Sequence, residues 1–269
     1  MHGKNSHDTR FLGYYWEQLK AILQPATPFI VTAVYSFVLI FERKHYAIFQ
    51  RGFYEGLLNI FNLDSNSIAG EVWVPIQIGL RGVWYLFIPL IAIAVLLAVT
   101  AIFPRTKKVL PQHRLADFGF RIGIWPGWRD ALIFLGIMVP FVVFAVFQKD
   151  FSRMYPLADI ARTSLTWFII WEALHLLHMF GWEFLNRGFL LFGLEKKMGY
   201  WAILATAVPF ALLHLGKPEL EAYGSFIAAI ALGWVALRTR SFLPGVLLHW
   251  SVAFTLDVLA IITKGGFTG

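Results

Sequence analysis

Apolar runs of membrane-crossing length, separated by short basic loops, set the rhythm of this chain. A helix needs about 20 mostly apolar residues to cross the hydrocarbon core of a bilayer. Residues 21–41, 82–104 and 131–148 carry no formal charge and meet or approach that length. Four further runs, 163 to about 192, 198–215, 222–237 and 241–263, are shorter or interrupted by polar groups. The pattern predicts an all-α, polytopic membrane helix bundle of about seven transmembrane helices, or eight if the fourth run divides. That run is too long for one perpendicular crossing and has three outlets: tilting, breaking near Gly181, or emerging as a surface helix.

Two segments outside these runs read as interfacial helices. The lead before Ala21 places Arg10, Glu17 and Lys20 among Phe11, Leu12, Tyr14, Tyr15 and Trp16. It is too charged and too long for a cleavable signal peptide. Phe49, Phe53, Leu57, Ile60 and Phe61 recur at helical spacing, so residues 46–62 are expected along the membrane surface. The chain therefore divides into an N-terminal interfacial segment (1–25), N-terminal spans with their loops (26–162), and a more polar helical core (163–269). No repeat or linker separates them, so they form a single membrane domain.

Composition sharpens this reading. Hydrophobic residues make up 58% and charged residues 14%, against roughly 45–50% and about 25% in soluble globular domains. The absence of cysteine excludes disulfides, thiolate nucleophiles, iron–sulfur ligation and cysteine-based zinc sites. The net charge of +7 is spread over short loops rather than gathered in one stripe, which suits membrane orientation and argues against nucleic acid as a partner. A modest excess of Lys and Arg in the loops that share a side with the N-terminus predicts that end on the cytoplasmic side, in an integral membrane protein suited to a bacterial inner membrane.

Ionisable residues at bilayer depth cost about 2.5–3.5 kcal/mol on insertion scales, so each needs a partner or a task. From Trp171 onward they cluster: Glu172, His175, His178, Glu183, Asn186, Arg187, His214, His249 and Asp257. On a continuous helix Glu172 and Glu183 fall within about 20° of one another, with Arg187 one turn further on. One side of the fourth run is thus a polar stripe, from which His178 points away as a structural residue. A Glu183–Arg187 ion pair alone would be a structural device. It leaves unexplained the two imidazoles on other spans, side chains suited to holding or passing a proton near neutral pH.

Three ordered segments carry a resemblance. Glu183-Phe-Leu-Asn-Arg187-Gly188, Phe210-Ala-Leu-Leu-His214 and Pro244-Gly-Val-Leu-Leu-His249 resemble the motifs Glu-Glu-x-x-x-Arg, Phe-x-x-x-His and His-x-x-x-Asn of the CPBP family, the CAAX-protease and bacteriocin-processing membrane proteins also called Abi proteins. The resemblance covers roughly residues 167–263. It implies an intramembrane glutamate-type endopeptidase, in which a carboxylate activates water without a required metal and His and Asn support it. Two positions depart from the pattern: Trp182 stands where the family has its first Glu, and Ala253 where it has Asn. Either the surviving carboxylates carry the reaction, or the chain is a non-proteolytic relative.

Peptide hydrolysis requires a base for water, donors for the oxyanion and an acid for the leaving amine. The resemblance and the stripe together assign Glu183 as base, supported by Arg187, with His214 orienting the water and His249 donating to the oxyanion. Glu172 stands as reserve base, and Asp257 as a candidate to orient His249 from two turns away. The substrate would be a membrane-associated protein or peptide within the lipid bilayer; the sequence assigns no oligomeric state. No cofactor is expected. A divalent metal held by Glu172, Glu183, His214 and His249 stays open, although Glu172-Ala-Leu-His175 supplies only one of the two Glu-x-x-His copies of di-iron bundles and zincin spacing is absent. The other alternative is an immunity or scaffold protein, or a proton-linked transporter. The small residues Gly224, Ser225, Ala228, Ala229 and Gly233 suit either close helix packing or a cavity. Pro218 and Glu219 mark a helix start, with Lys217 or Glu219 at a substrate entrance as the second reading.

Overall fold

The computed structural model describes residues 32–41, 56, 60, 69–103 and 114–268. The regular structure among them is helical throughout. In chain order the helices are α1 (Thr32–Phe41), α2 (Ala69–Ile102), α3 (Gly127–Val146), α4 (Lys149–Met154) and α5 (Leu165–Glu183). A π-helical segment, Phe184–Leu191, continues α5 into α6 (Phe192–Met198), followed by α7 (Trp201–Leu213), α8 (Glu219–Thr239) and α9 (Leu243–Thr263). Within the described residues four helices are long and apolar enough to cross a membrane: most of α2, and α3, α8 and α9. Two shorter apolar helices are α1 and α7. The expected interfacial segment before Ala21 lies outside the described residues, as does the surface helix over 46–62 apart from Gly56 and Ile60, both helical.

The second apolar run begins earlier than its charge-free stretch. Helix α2 starts at Ala69, not Gly82, because Arg81 is accommodated inside it, with its guanidinium carbon 5.6 Å from the centre of the Tyr85 ring. At about 1.5 Å per residue its 34 residues reach roughly 50 Å, well beyond a hydrocarbon core of about 30 Å. The fourth run does not break at Gly181. It stays helical from Leu165 to Met198 and absorbs its excess length by changing pitch after Glu183. Helix α8 begins at Glu219, directly after Pro218, with Glu219 and Glu221 in its first turn near the positive end of the helix dipole.

Helix α5 is the centre of the bundle, packed against α2 on one side and α9 on the other; α9 also meets α3 and α8, and α8 meets α7. The α2–α5 crossing is nearly backbone on backbone. A Cβ built on Gly181 would lie 2.0 Å from the Gly82 carbonyl oxygen, and one on Gly82 would lie 2.5 Å from the His178 Cα. Small residues at a crossing let two helices approach closely and gain dispersion contacts where the hydrophobic effect gives no help. Apolar side chains meanwhile line the outside. Phe87, Ile91, Val95, Phe141 and Phe144 are each more than half exposed, whereas Glu172, His175, Glu183, Asn186, Arg187 and Asp257 are buried. Polar groups inside and apolar groups outside is the arrangement lipid requires.

The two ends of the bundle are held by different sets of contacts. At one end Ile124 N–H donates to the Thr239 carbonyl over 2.9 Å, Arg238 pairs with Asp130 at 3.3 Å, and Arg240 pairs with Glu195 at 2.5 Å. At the other, Lys264 donates to the Tyr155 carbonyl (2.7 Å), Lys217 to the Tyr155 hydroxyl (2.9 Å), and Arg162 to the Lys264 carbonyl (2.9 Å). The Tyr155 hydroxyl donates in turn to Glu221 over 2.5 Å. Burial, followed by the charge of Glu221, raises the Tyr155 hydroxyl well above the usual range for a phenol. Lys217 is therefore tied into this polar knot.

Candidate functional site

The polar stripe of α5 resolves into two groups at different depths. The first forms where α5 passes into the π-helical segment. Arg187 donates from Nη1 to Glu183 Oε1 over 3.2 Å, and the His249 Nδ1 of α9 lies 2.7 Å from the same oxygen. Glu183 and Arg187 are fully buried, while the His249 side chain keeps 18% of its surface exposed. One carboxylate oxygen is thus held from two directions, and the other, Oε2, has no partner. Gly245 lies beside that free oxygen; a Cβ there would stand 3.4 Å from it.

His214, at the C-terminal end of α7, joins this group through Phe210. Its Nδ1 lies 2.8 Å from the Phe210 carbonyl oxygen, one turn back. In the neutral ring the proton sits on Nδ1 as donor, which leaves the Nε2 lone pair available. The Phe210 ring is the shared platform: the Arg187 guanidinium carbon sits 4.5 Å from its centroid, the His214 ring 4.6 Å, and the His249 ring 5.6 Å. A guanidinium over an aromatic face within about 6 Å is attracted by the ring quadrupole. Phe210 opens the Phe-x-x-x-His segment in the sequence but was assigned no role there; its position one turn before His214 is the signal that could have marked it.

The π-helical turn fixes the rest. The Asn186 side chain donates to the Trp182 carbonyl over 2.8 Å and accepts from the Tyr35 hydroxyl of α1 at 2.8 Å. Arg187 Nη2 reaches the Ala229 carbonyl of α8 at 3.4 Å, so four elements meet at this turn. Local π-helical pitch occurs often at functional sites because it re-aims side chains without ending the helix. Trp182, in place of a carboxylate, is a buried packing residue against Tyr85 (5.1 Å) and Phe210 (5.8 Å). Ala253 packs among apolar neighbours in the group around Phe120, Phe180 and Phe242.

Glu172 and Asp257 belong to a second group. Trp171 donates its indole N–H to Asp257 Oδ2 over 2.7 Å, and Trp250 donates to Glu172 Oε2 over 3.0 Å. His175 Nδ1 is 3.9 Å from Asp257 Oδ2, too far for a hydrogen bond. Along α5, eleven residues separate Glu172 from Glu183, roughly 16 Å at the α-helical rise. The stripe keeps one azimuth but serves two depths, which is why reading it by angle alone merged the two groups. The partner that orients His249 is Glu183; Asp257 is held by Trp171. His178 faces α2, with its ring 5.8 Å from Tyr85.

Of the metal set Glu172, Glu183, His214 and His249 considered from sequence, the members divide between the two groups. Among the described residues the cluster with metal-ligand geometry is instead Glu172, His175 and Asp257, each offering a donor atom within 4.8 Å of the others.

No curated protein and no solved structure matches the chain. Residues 162–255, which hold every side chain of both groups except Tyr35 and Asp257, match the family model described as type II CAAX prenyl endopeptidase Rce1-like.

Proposed function

We propose that this integral membrane protein is an intramembrane endopeptidase that hydrolyses a peptide bond in a membrane-associated protein or peptide, with Glu183 as base. The Rce1-like match supports a CAAX-protease-like function at the level of the family. The observation that carries the finer reading is the asymmetry of the Glu183 carboxylate: Oε1 is fixed by Arg187 and His249, and Oε2 is free beside Gly245.

In this mechanism Oε2 takes a proton from water as the water oxygen attacks the scissile carbonyl carbon. The tetrahedral oxyanion is stabilised by the His249 ring, which its Nδ1 contact with Glu183 Oε1 holds in place. His214, fixed through Nδ1, orients the water with its Nε2 lone pair. The proton held by Glu183 passes to the leaving amine as the carbon–nitrogen bond breaks. Arg187 holds the buried carboxylate through Oε1, and the phenyl face of Phe210 holds the three partners in register. Glu172 and Asp257 take no step in this scheme. The protein sits in a bacterial inner membrane with its N-terminus cytoplasmic.

The test is hydrolysis by purified protein in liposomes against a panel of prenylated and leader-type peptides. Glu183→Gln abolishes cleavage, and His249→Ala lowers it by about 10²–10⁴-fold, each measured per amount of folded protein. Full activity in Glu183→Gln would refute the assignment and favour a scaffold or transporter role, the latter read as substrate-dependent proton flux.

A further inference from the structure

We infer that Glu172, His175 and Asp257 form a binding site for a divalent transition-metal ion, Zn2+ or an ion of like preference, bridging α5 and α9 at a depth distinct from Glu183. The three side chains are 5%, 4% and 1% exposed, and each carries one buried atom without a hydrogen-bond partner: Glu172 Oε1, His175 Nδ1 and Asp257 Oδ1. An unpaired buried polar atom costs about 1–3 kcal/mol, more for a charged group, so three in one place call for a common partner.

The arrangement of the paired atoms points the same way. Each carboxylate has one oxygen braced by an indole N–H, Trp171 on Asp257 and Trp250 on Glu172, and presents the other unbraced. That is how a ligand carboxylate is set by its surroundings, with one oxygen oriented and one available. Glu172 and His175 are three residues apart on α5, a spacing that turns both toward one point, and Asp257 arrives from α9.

Charge selects the partner. Two carboxylates buried together in a membrane repel, and a dication neutralises both at once. Oxygen, oxygen and imidazole nitrogen form a donor set that zinc accepts. A proton shared between the carboxylates is the competing account, but it satisfies two oxygens and leaves His175 Nδ1 unpaired. Donor atoms about 2.0–2.2 Å from a tetrahedral ion lie roughly 3.4 Å apart, so donors now within 4.8 Å of one another need close by only about an ångström or so.

Metal binding is read without reference to hydrolysis. The full-length protein, purified in detergent and stripped with chelator, is titrated with Co2+ alone and followed by its d–d absorption, then competed with Zn2+. The expected result is about one ion per chain and a higher Tm when the ion is bound. Asp257→Asn and His175→Gln weaken the affinity at least tenfold. Trp171→Phe and Trp250→Phe keep the aromatic bulk, remove only the indole donor, and weaken affinity about 10- to 100-fold, which guards against variants that simply misfold. Glu183→Gln binds as the native protein does, so failure here and failure of the hydrolase assignment are separate results. No stoichiometric binding, unchanged affinity in His175→Gln, or an infrared carboxylic-acid band that persists at saturating metal and vanishes in Asp257→Asn would each overturn the proposal.

Discussion

At the scale of single residues the decisive feature is that two oxygens of one carboxylate have different surroundings. Glu183 Oε1 is doubly held, whereas Oε2 is buried without a hydrogen-bond partner beside Gly245. Gly245→Ala sets a methyl carbon 3.4 Å from Oε2, filling space beside the oxygen that takes the proton in the proposed mechanism. Cleavage should fall at least tenfold in kcat with little change in KM or Tm, since no other partner of Glu183 is disturbed. Removing Glu183 itself is a different experiment. It leaves Arg187 as an unpaired charge in a fully buried position, and breaking such a pair costs about 3–5 kcal/mol. Glu183→Gln therefore lowers Tm as well as cleavage, whereas His249→Ala leaves the ion pair standing. It should lower kcat by about 10²–10⁴-fold, the usual range for a positioned proton-transfer group, with Tm nearly unchanged. Comparing the two variants separates chemistry from folding. The sequence shows Glu183, Arg187, His214 and His249 as members of one motif set, but not the platform beneath them. Phe210 stands in one of those motifs, but its role as a platform shows only when its ring is seen against all three partners.

At the scale of elements, the Gly82–Gly181 crossing and the π-helical turn together position the site. The crossing sets how closely α2 approaches α5, and the turn after Glu183 aims Asn186 and Arg187. Gly181→Val must separate the two helices, because its Cβ would lie 2.0 Å from a backbone oxygen that has no rotamer to change. Overpacking of this kind costs about 1–3 kcal/mol, occasionally more, so Tm and membrane abundance both drop. Gly224→Ala on α8 is the control. A Cβ there meets nothing within 4 Å, and exchanging Gly for Ala in a helix gains about 1 kcal/mol, so Tm holds or rises. From sequence, the small residues of the sixth run were equally consistent with packing or cavity. The structure divides them: a Cβ on Gly233 would lie 2.9 Å from the Ile203 side chain, whereas one on Gly224 would meet nothing within 4 Å. Hydropathy located the helices because burial in lipid depends on composition. It misplaced the start of α2 and merged the two polar groups because charge tolerance and pitch depend on partners from other helices.

At the scale of the whole molecule, the loops sort into two sets that contact one another, and this makes orientation testable. One end gathers Arg121, Asp130, Glu195, Arg238 and Arg240; the other gathers Tyr155, Arg162, Lys217, Glu221 and Lys264. The segment 105–129, with six Lys and Arg, leads into the first end, so the positive-inside tendency predicts a cytoplasmic position for that end. Because the chain contains no cysteine, a single introduced cysteine is the sole target of a membrane-impermeant maleimide. Lys197 and Lys149 are exposed at opposite ends. In intact spheroplasts Lys149→Cys should label and Lys197→Cys should not, until the membrane is permeabilised. The reverse pattern would invert the molecule, and would also place the Tyr155–Glu221–Lys217 knot on the cytoplasmic side. Labelling of both positions from one side would be incompatible with α3 crossing the bilayer between the two ends. The orientation also has a mechanistic consequence. His249 lies in the second turn of α9, six residues after Leu243 at the first end, so a cytoplasmic placement of that end brings the partly exposed imidazole nearer the cytoplasmic face and predicts cleavage of substrates presented from that side.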